Sequence, residues 1–104
     1  MSRNYYVTAS DNTSIFRDHI NVGSKATYKF DFSAWADDNN DIVSVEWVIK
    51  AGSCEISNKY LSSNLASALI SFSVGGGILI DISADTGVDK ISVSLDIFVR
   101  DYGW

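Results

Sequence analysis

Residues alternate between apolar and polar with a period of two in five separate stretches, and this constrains the fold more than any other feature of the chain. Tyr28, Phe30 and Phe32 fall on one side of an extended segment and Thr27, Lys29 and Asp31 on the other. The same holds for Val43, Val45, Trp47 and Ile49, for Ala68, Ile70, Phe72 and Val74, for Ile78, Ile80 and Ile82, and for Ile91, Val93, Leu95, Ile97 and Val99. Successive side chains of a strand point to opposite faces, so each stretch predicts a strand with one buried side. β-Branched and aromatic residues, which suit a pleated half-buried surface, are abundant in these stretches. No stretch of useful length has helical periodicity.

Turn-forming residues separate the strands: DDNND at 37–41, SNKYLSSN at 57–64, GGG at 75–77 and DTGVD at 85–89. Weaker strands are expected over Cys54–Ser57 and near Lys59–Leu61. The glycine run is expected to be a flexible hairpin. Six or seven short strands with frequent turns predict an all-β sandwich. Proline is absent, so exposed edges must be protected by charge, by the N-terminal segment or by partner subunits.

The first 22 residues are more polar, with isolated apolar points at Tyr5, Tyr6, Val7, Ile15, Phe16, Ile20 and Val22. They are expected to form an arm over 1–22 with one edge strand near Tyr5–Ala9, ahead of a sandwich domain over 23–104. The tail RDYGW ends on Tyr102 and Trp104, which either fold back on the sandwich or meet a neighbour. Aromatics with a polar tip are frequent interface anchors. Position in the chain makes Tyr5, Tyr6, Phe16, Tyr102 and Trp104 the expected protein-contact residues.

At 104 residues and 46% hydrophobic, the chain is one domain able to build a core without metals or disulfides. The net charge of −5 and the singly scattered lysines and arginines argue against nucleic-acid binding. No apolar run approaches the roughly 18 residues of a membrane helix. The N-terminus has no apolar signal core, and production in a reducing cytosol is expected. Cys54 is the only cysteine, which excludes an intramolecular disulfide and a thiolate zinc site.

No catalytic or cofactor constellation stands out. Asp37, Asn39 and Asp41 have the first spacings of an EF-hand loop, but Ile42 and Val48 stand where glycine and a bidentate glutamate are required. A solvated turn is the expectation, because Asn and Asp tolerate turn geometry. The glycine run precedes a strand rather than a helix and lacks the lysine of a phosphate loop. His19 is the only histidine and there is no nucleophile elbow. Asp37, Asp38, Asp41, Asp85 and Asp89 are expected at turns. Trp35, Tyr60 and Trp104 are candidate sugar-stacking platforms, whereas Trp47 is expected in the core.

The run Tyr28, Phe30, Asp31, Phe32, Ser33, Trp35, then Asp41, Ile42, Ser44 and Trp47, resembles the phage fiber-tail adaptor proteins. The resemblance implies an immunoglobulin-like sandwich and a structural, non-enzymatic role in the virion of a tailed phage. Such a protein joins fibers or other appendages to the tail or neck. It would be made in the host cytoplasm and assembled in several copies on a symmetric ring, with other virion proteins as partners and no cofactor. Two alternatives are a capsid decoration or head-completion protein of the same fold and a carbohydrate-binding module.

Overall fold

The computed structural model describes residues 2–36 and 41–101. Eight strands are present among them: β1 (Ser2–Tyr6), β2 (Ile15–Asn21), β3 (Lys25–Asp31), β4 (Ser44–Ala51), β5 (Glu55–Ser62), β6 (Leu65–Ser71), β7 (Gly76–Asp85) and β8 (Lys90–Arg100). They form two four-stranded sheets, ordered β1-β3-β6-β5 and β2-β8-β7-β4. A single 3₁₀ turn, Ala9–Asp11, lies between β1 and β2.

The central strands follow the sequence pattern. Ala26, Tyr28 and Phe30 of β3 and Ala66, Ala68 and Ile70 of β6 are buried. They face Ile78, Ile80, Ile82 and Ala84 of β7 and Ile91, Val93, Leu95, Ile97 and Val99 of β8. Register explains the alanines. Tyr28 stands beside Ala68 and Phe30 beside Ala66, so the small side chains leave room for the rings of the neighbouring strand. Each fully buried isoleucine or phenylalanine contributes about 1.5–3 kcal/mol relative to exposure.

Five of the seven strand connections change sheet; only β5–β6 and β7–β8 are hairpins. The glycine run 75–77 therefore does not close a hairpin, as the sequence pattern had suggested. It carries the chain from β6 to β7 in the opposite sheet, and Gly76 and Gly77 already belong to β7. The link between β3 and β4, which includes the acidic run, is likewise a crossing between layers. Of that run only Asp41 lies within the described residues. The β5–β6 hairpin turns on Ser63 and Asn64, at φ +50° and +66°. Positive φ at both central residues is what a type I′ turn requires.

The two weak strands expected over 54–61 are one strand. β5 shifts register between Ser57 and Tyr60, where Asn58 takes φ +51°. Such a bulge inserts unpaired residues and resets the alternation. Val43, Val74 and Ile49 were expected to point inward and are exposed. Val43 and Val74 lie in crossings, and Ile49 stands on an edge strand directly before the bulge at Lys50, where the register with β7 shifts.

The expected arm is corrected. Residues 2–6 and 15–21 are strands, one added to each sheet. β1 pairs with β3 in parallel, Tyr5 beside Phe30, and β2 pairs with β8 in parallel, Phe16 beside Leu95. Val7, just beyond β1, is fully buried and its N–H donates to the Asp31 carbonyl at 2.9 Å.

Strand directions give the molecule two unlike ends along its long axis, within overall extents of 52 × 23 × 18 Å. One end carries the 3₁₀ turn, the β3–β4 crossing, the Ser63–Asn64 turn and the Thr86–Asp89 turn. It is tied by Phe32 N–H to Asn64 O, Val43 N–H to Asp85 O and Thr13 N–H to Ser92 O. The other end carries the start of β1, the end of β8 and the links at Val22–Ser24 and Phe72–Gly75, tied by Val22 N–H to Arg100 O and Gly23 N–H to Phe72 O.

Candidate interaction surfaces

Where β1 and β2 lie side by side, in different sheets, the sandwich is closed by a charge and by rings. Asp18 on β2 points inward, between Phe16 and Ile20. Its carboxylate accepts from Arg3 Nε at 2.9 Å and from the Tyr28 hydroxyl at 2.7 Å. A carboxylate so placed must be hydrogen-bonded to be tolerated, and here both β1 and β3 contribute a donor. Tyr5 lies against Phe30 with ring centroids 5.0 Å apart and against Phe16 at 5.4 Å, and Phe16 meets Phe30 edge-on at 5.9 Å. The Tyr5 hydroxyl is pushed up to about 12, first by burial and then by the Asp18 charge, with Arg3 opposing. Tyr28 is also raised, by burial first and then by its bond to Asp18.

Of the five aromatics expected as contacts, Tyr5 and Phe16 are thus half-buried in the chain's own interior. Each points inward in its strand and packs on Phe30. Tyr6 points outward and is 71% exposed. It lines a groove of about 260 Å³ with Asn4, Lys29, Asp31 and Leu65 on the outer face of the first sheet. Tyr102 and Trp104 lie outside the described residues.

The motif Tyr28 to Trp35 builds the end of β3. The Asp31 carboxylate accepts from the Ser33 N–H at 2.9 Å and from its hydroxyl, bending the chain. Trp35 N–H and Ala36 N–H both donate to the Phe32 carbonyl. Trp35 is half-buried and packs edge-on against Phe32 at 6.5 Å. It is therefore a packed residue and not a free stacking platform. Trp47 is buried as expected, its ring edge-on to Phe30 at 5.8 Å. Tyr60 is exposed and lines a groove of about 270 Å³ between β4 and β5, with Val43, Val45, Trp47 and Leu61. A groove of about 560 Å³ at the end opposite the hairpin turns is lined by Val74, Gly75, Gly76, Phe98, Val99, Arg100 and Asp101.

The acidic side chains in the turns serve the backbone. Asp85 accepts from Gly87 N–H at 2.7 Å, and Asp41 accepts from the Asn64 amide at 3.2 Å while that amide's oxygen receives Ile42 N–H. Asp37, Asp38 and Asn39 lie outside the described residues. Asp89 supplies its carbonyl to the Thr86 N–H. Among the described residues no three His, Cys, Asp or Glu side chains converge as metal ligands. His19 is exposed on β2, beside Phe98 of β8. Cys54 is half-buried and burial pushes its thiol up, away from the thiolate that nucleophilic chemistry requires.

Sequence reasoning missed the Arg3–Asp18–Tyr28 cluster. The available signal was a charged residue midway between Phe16 and Ile20 on the inward parity of a strand.

No protein-family model and no curated protein matches the chain. Solved structures match over nearly its full length at low identity. An immunoglobulin domain complex of titin M10 with obscurin-like 1 superposes with a TM-score of 0.57 at 12% identity, covering 89% of this chain and 93% of that one. The PKD domain of the KIAA 1837 protein gives 0.56 at 16%, covering 90% and 87%. The cysteine protease inhibitor EhICP2 of Entamoeba histolytica gives 0.55 at 6%, covering 95% and 97%. At these identities the likeness concerns the fold alone: the chain is an all-β, immunoglobulin-like sandwich.

Proposed function

We propose that this chain is a structural, non-enzymatic virion protein of a tailed phage, an adaptor that joins fibers or other appendages to the tail or neck. The virion assignment is supported by the run from Tyr28 to Trp47. The adaptor role is supported above all by one observation, the separation of two unlike ends along a 52 Å axis. Turns cluster at one end, and an apolar groove around Val74 and Phe98 sits at the other. A rigid sandwich between them can hold two different virion proteins at a fixed distance, in multiple copies around a ring. The non-enzymatic reading is supported by the use of acidic side chains as turn caps and by the raised Cys54 thiol.

Fractionation of purified particles into heads, tails and fibers, followed by mass spectrometry, tests this proposal. The protein is expected in the tail or neck fraction, and Phe98→Asp together with Val74→Asp is expected to release it from one partner only. Recovery from heads alone would replace the adaptor by a capsid decoration or head-completion protein. Absence from particles would end the virion assignment.

A further inference from the structure

The groove of about 560 Å³ lies where β7 begins beside the end of β8. Phe98 and Arg100 share the outer side of β8. The residues beside Phe98 and Val99 on β7 are Gly77 and Gly76. At neither glycine would a Cβ meet any atom within 4 Å. β7 thus starts without side chains, and the groove is the space they leave. Glycine inside a strand often marks a place where another group approaches the backbone closely. The apolar walls of this space, Val74 and Phe98, are 53% and 57% exposed. An open backbone floor between two apolar walls is a seat for a flat ring.

The chain itself supplies an occupant. It leaves β8 at Arg100, and Asp101 already lines the groove. A Cβ at Gly75 would stand 3.0 Å from the Asp101 Cβ, so the exit runs directly alongside the glycine run. Next come Tyr102, Gly103 and Trp104. We infer that this tail closes the groove: the chain turns back at Gly103 and seats the Trp104 indole between Val74 and Phe98. A type II turn takes glycine at its third position and holds its first and fourth Cα atoms within about 7 Å. The stretch from Asp101 to Trp104 has glycine at that position, so such a turn returns Trp104 to the rim of the groove. A straight continuation would carry it about 10 Å past that rim. Tryptophan buries more apolar surface than most side chains, which favours the return. The tether also selects this occupant: a linker this short holds the ring at an effective concentration of about millimolar, which the tail of a second copy does not match in dilute solution. The inference rests on the groove and not on the virion assignment. For an adaptor it means that the partner at this end displaces the ring before it binds.

NMR of the isotope-labelled full chain tests this. Nuclear Overhauser contacts from the Trp104 indole to the Val74 methyls and the Phe98 ring are expected in the wild type at every concentration. They are expected to be absent from isotope-filtered spectra of mixed labelled and unlabelled chain, which report contacts between copies alone. Val74→Ser together with Phe98→Ser is expected to lose these contacts and to return the Trp104 indole N–H resonance to its position in the free peptide RDYGW. Both side chains are exposed, so the fold is expected to be kept, which thermal melting checks. A wild-type Trp104 indole already at the peptide position would overturn the inference. So would contacts confined to the filtered spectra, which would give the groove to a second copy. The wild-type spectra decide between these outcomes whether or not the variant folds, and none of them bears on where the protein is found in particles.

Discussion

The Arg3 guanidinium on β1 and the Asp18 carboxylate on β2 meet at 2.9 Å across the gap between the two sheets. The pair is the bond between the first strand of one layer and the first strand of the other. The Tyr28 hydroxyl completes it from β3, so three strands are tied to one carboxylate. The contact also fixes the register of β1, since Arg3 reaches Asp18 only when it stands beside Tyr28.

Asp18→Ala is therefore expected to destabilise the fold by about 2 kcal/mol, because it strands a half-buried guanidinium and a buried phenol without their acceptor. Asp18→Asn keeps one acceptor oxygen and is expected to cost about 1 kcal/mol. Urea unfolding of the two variants against wild type measures both values. Equal stability of all three would remove the cluster from the account.

The same cluster sets the alkaline limit of the fold. Tyr5 is raised from 10.0 to about 12, and Tyr28 is raised in the same direction. A group whose folded value lies above its unfolded value stabilises the fold fully below the unfolded value. That contribution is lost as pH rises through the folded value. Stability is thus expected to be flat up to about pH 10 and to fall from there upward. Spectrophotometric titration of tyrosinate should show Tyr5 and Tyr28 ionising above the ordinary tyrosine range, together with loss of the fold. Asp18→Asn removes the negative charge and should bring Tyr5 down.

Gly52 joins β4 to β5 at φ +83°, and a Cβ there would run into the Gly77 carbonyl oxygen and the Ile78 side chain. Gly23 has a similar φ, +85°, with nothing within 4 Å of its Cβ position. Gly23→Ala is expected to cost about 1 kcal/mol from backbone conformation alone. Gly52→Ala is expected to cost about 3 kcal/mol, since a steric clash adds to the same strain. The difference in urea midpoint between these variants isolates the clash.

The central strands could be read from the sequence because both their edges are paired and one face is dry. In β3, β6, β7 and β8 every second side chain is buried. The edges could not be read the same way. In β2 the inward positions are Phe16, Asp18 and Ile20, and Asp18 is tolerable only because Arg3 and Tyr28, distant in sequence, arrive to bond it. In β1 only Tyr5 and Arg3 face inward, too few to show a period. In β5 the bulge at Asn58 breaks the alternation into two apparent strands. Which sheet a strand joins is not encoded in its period, so the glycine run looked like a hairpin although it crosses between layers. For the same reason the packing of Tyr5 and Phe16 could not be read: their aromatic character is visible in the sequence, and their shared neighbour Phe30 is not.

The central claim is that residues 2–21 are part of the sandwich, held by Asp18, rather than an arm outside it. Amide hydrogen exchange followed residue by residue by NMR tests this most directly. The account predicts that the strand-bonded amides of β1 and β2 exchange at least about a hundredfold more slowly than an unstructured chain, and that Asp18→Ala speeds those of β1 first. Exchange of residues 3–6 and 15–21 at unstructured rates, beside a protected β3 and β8, would contradict it.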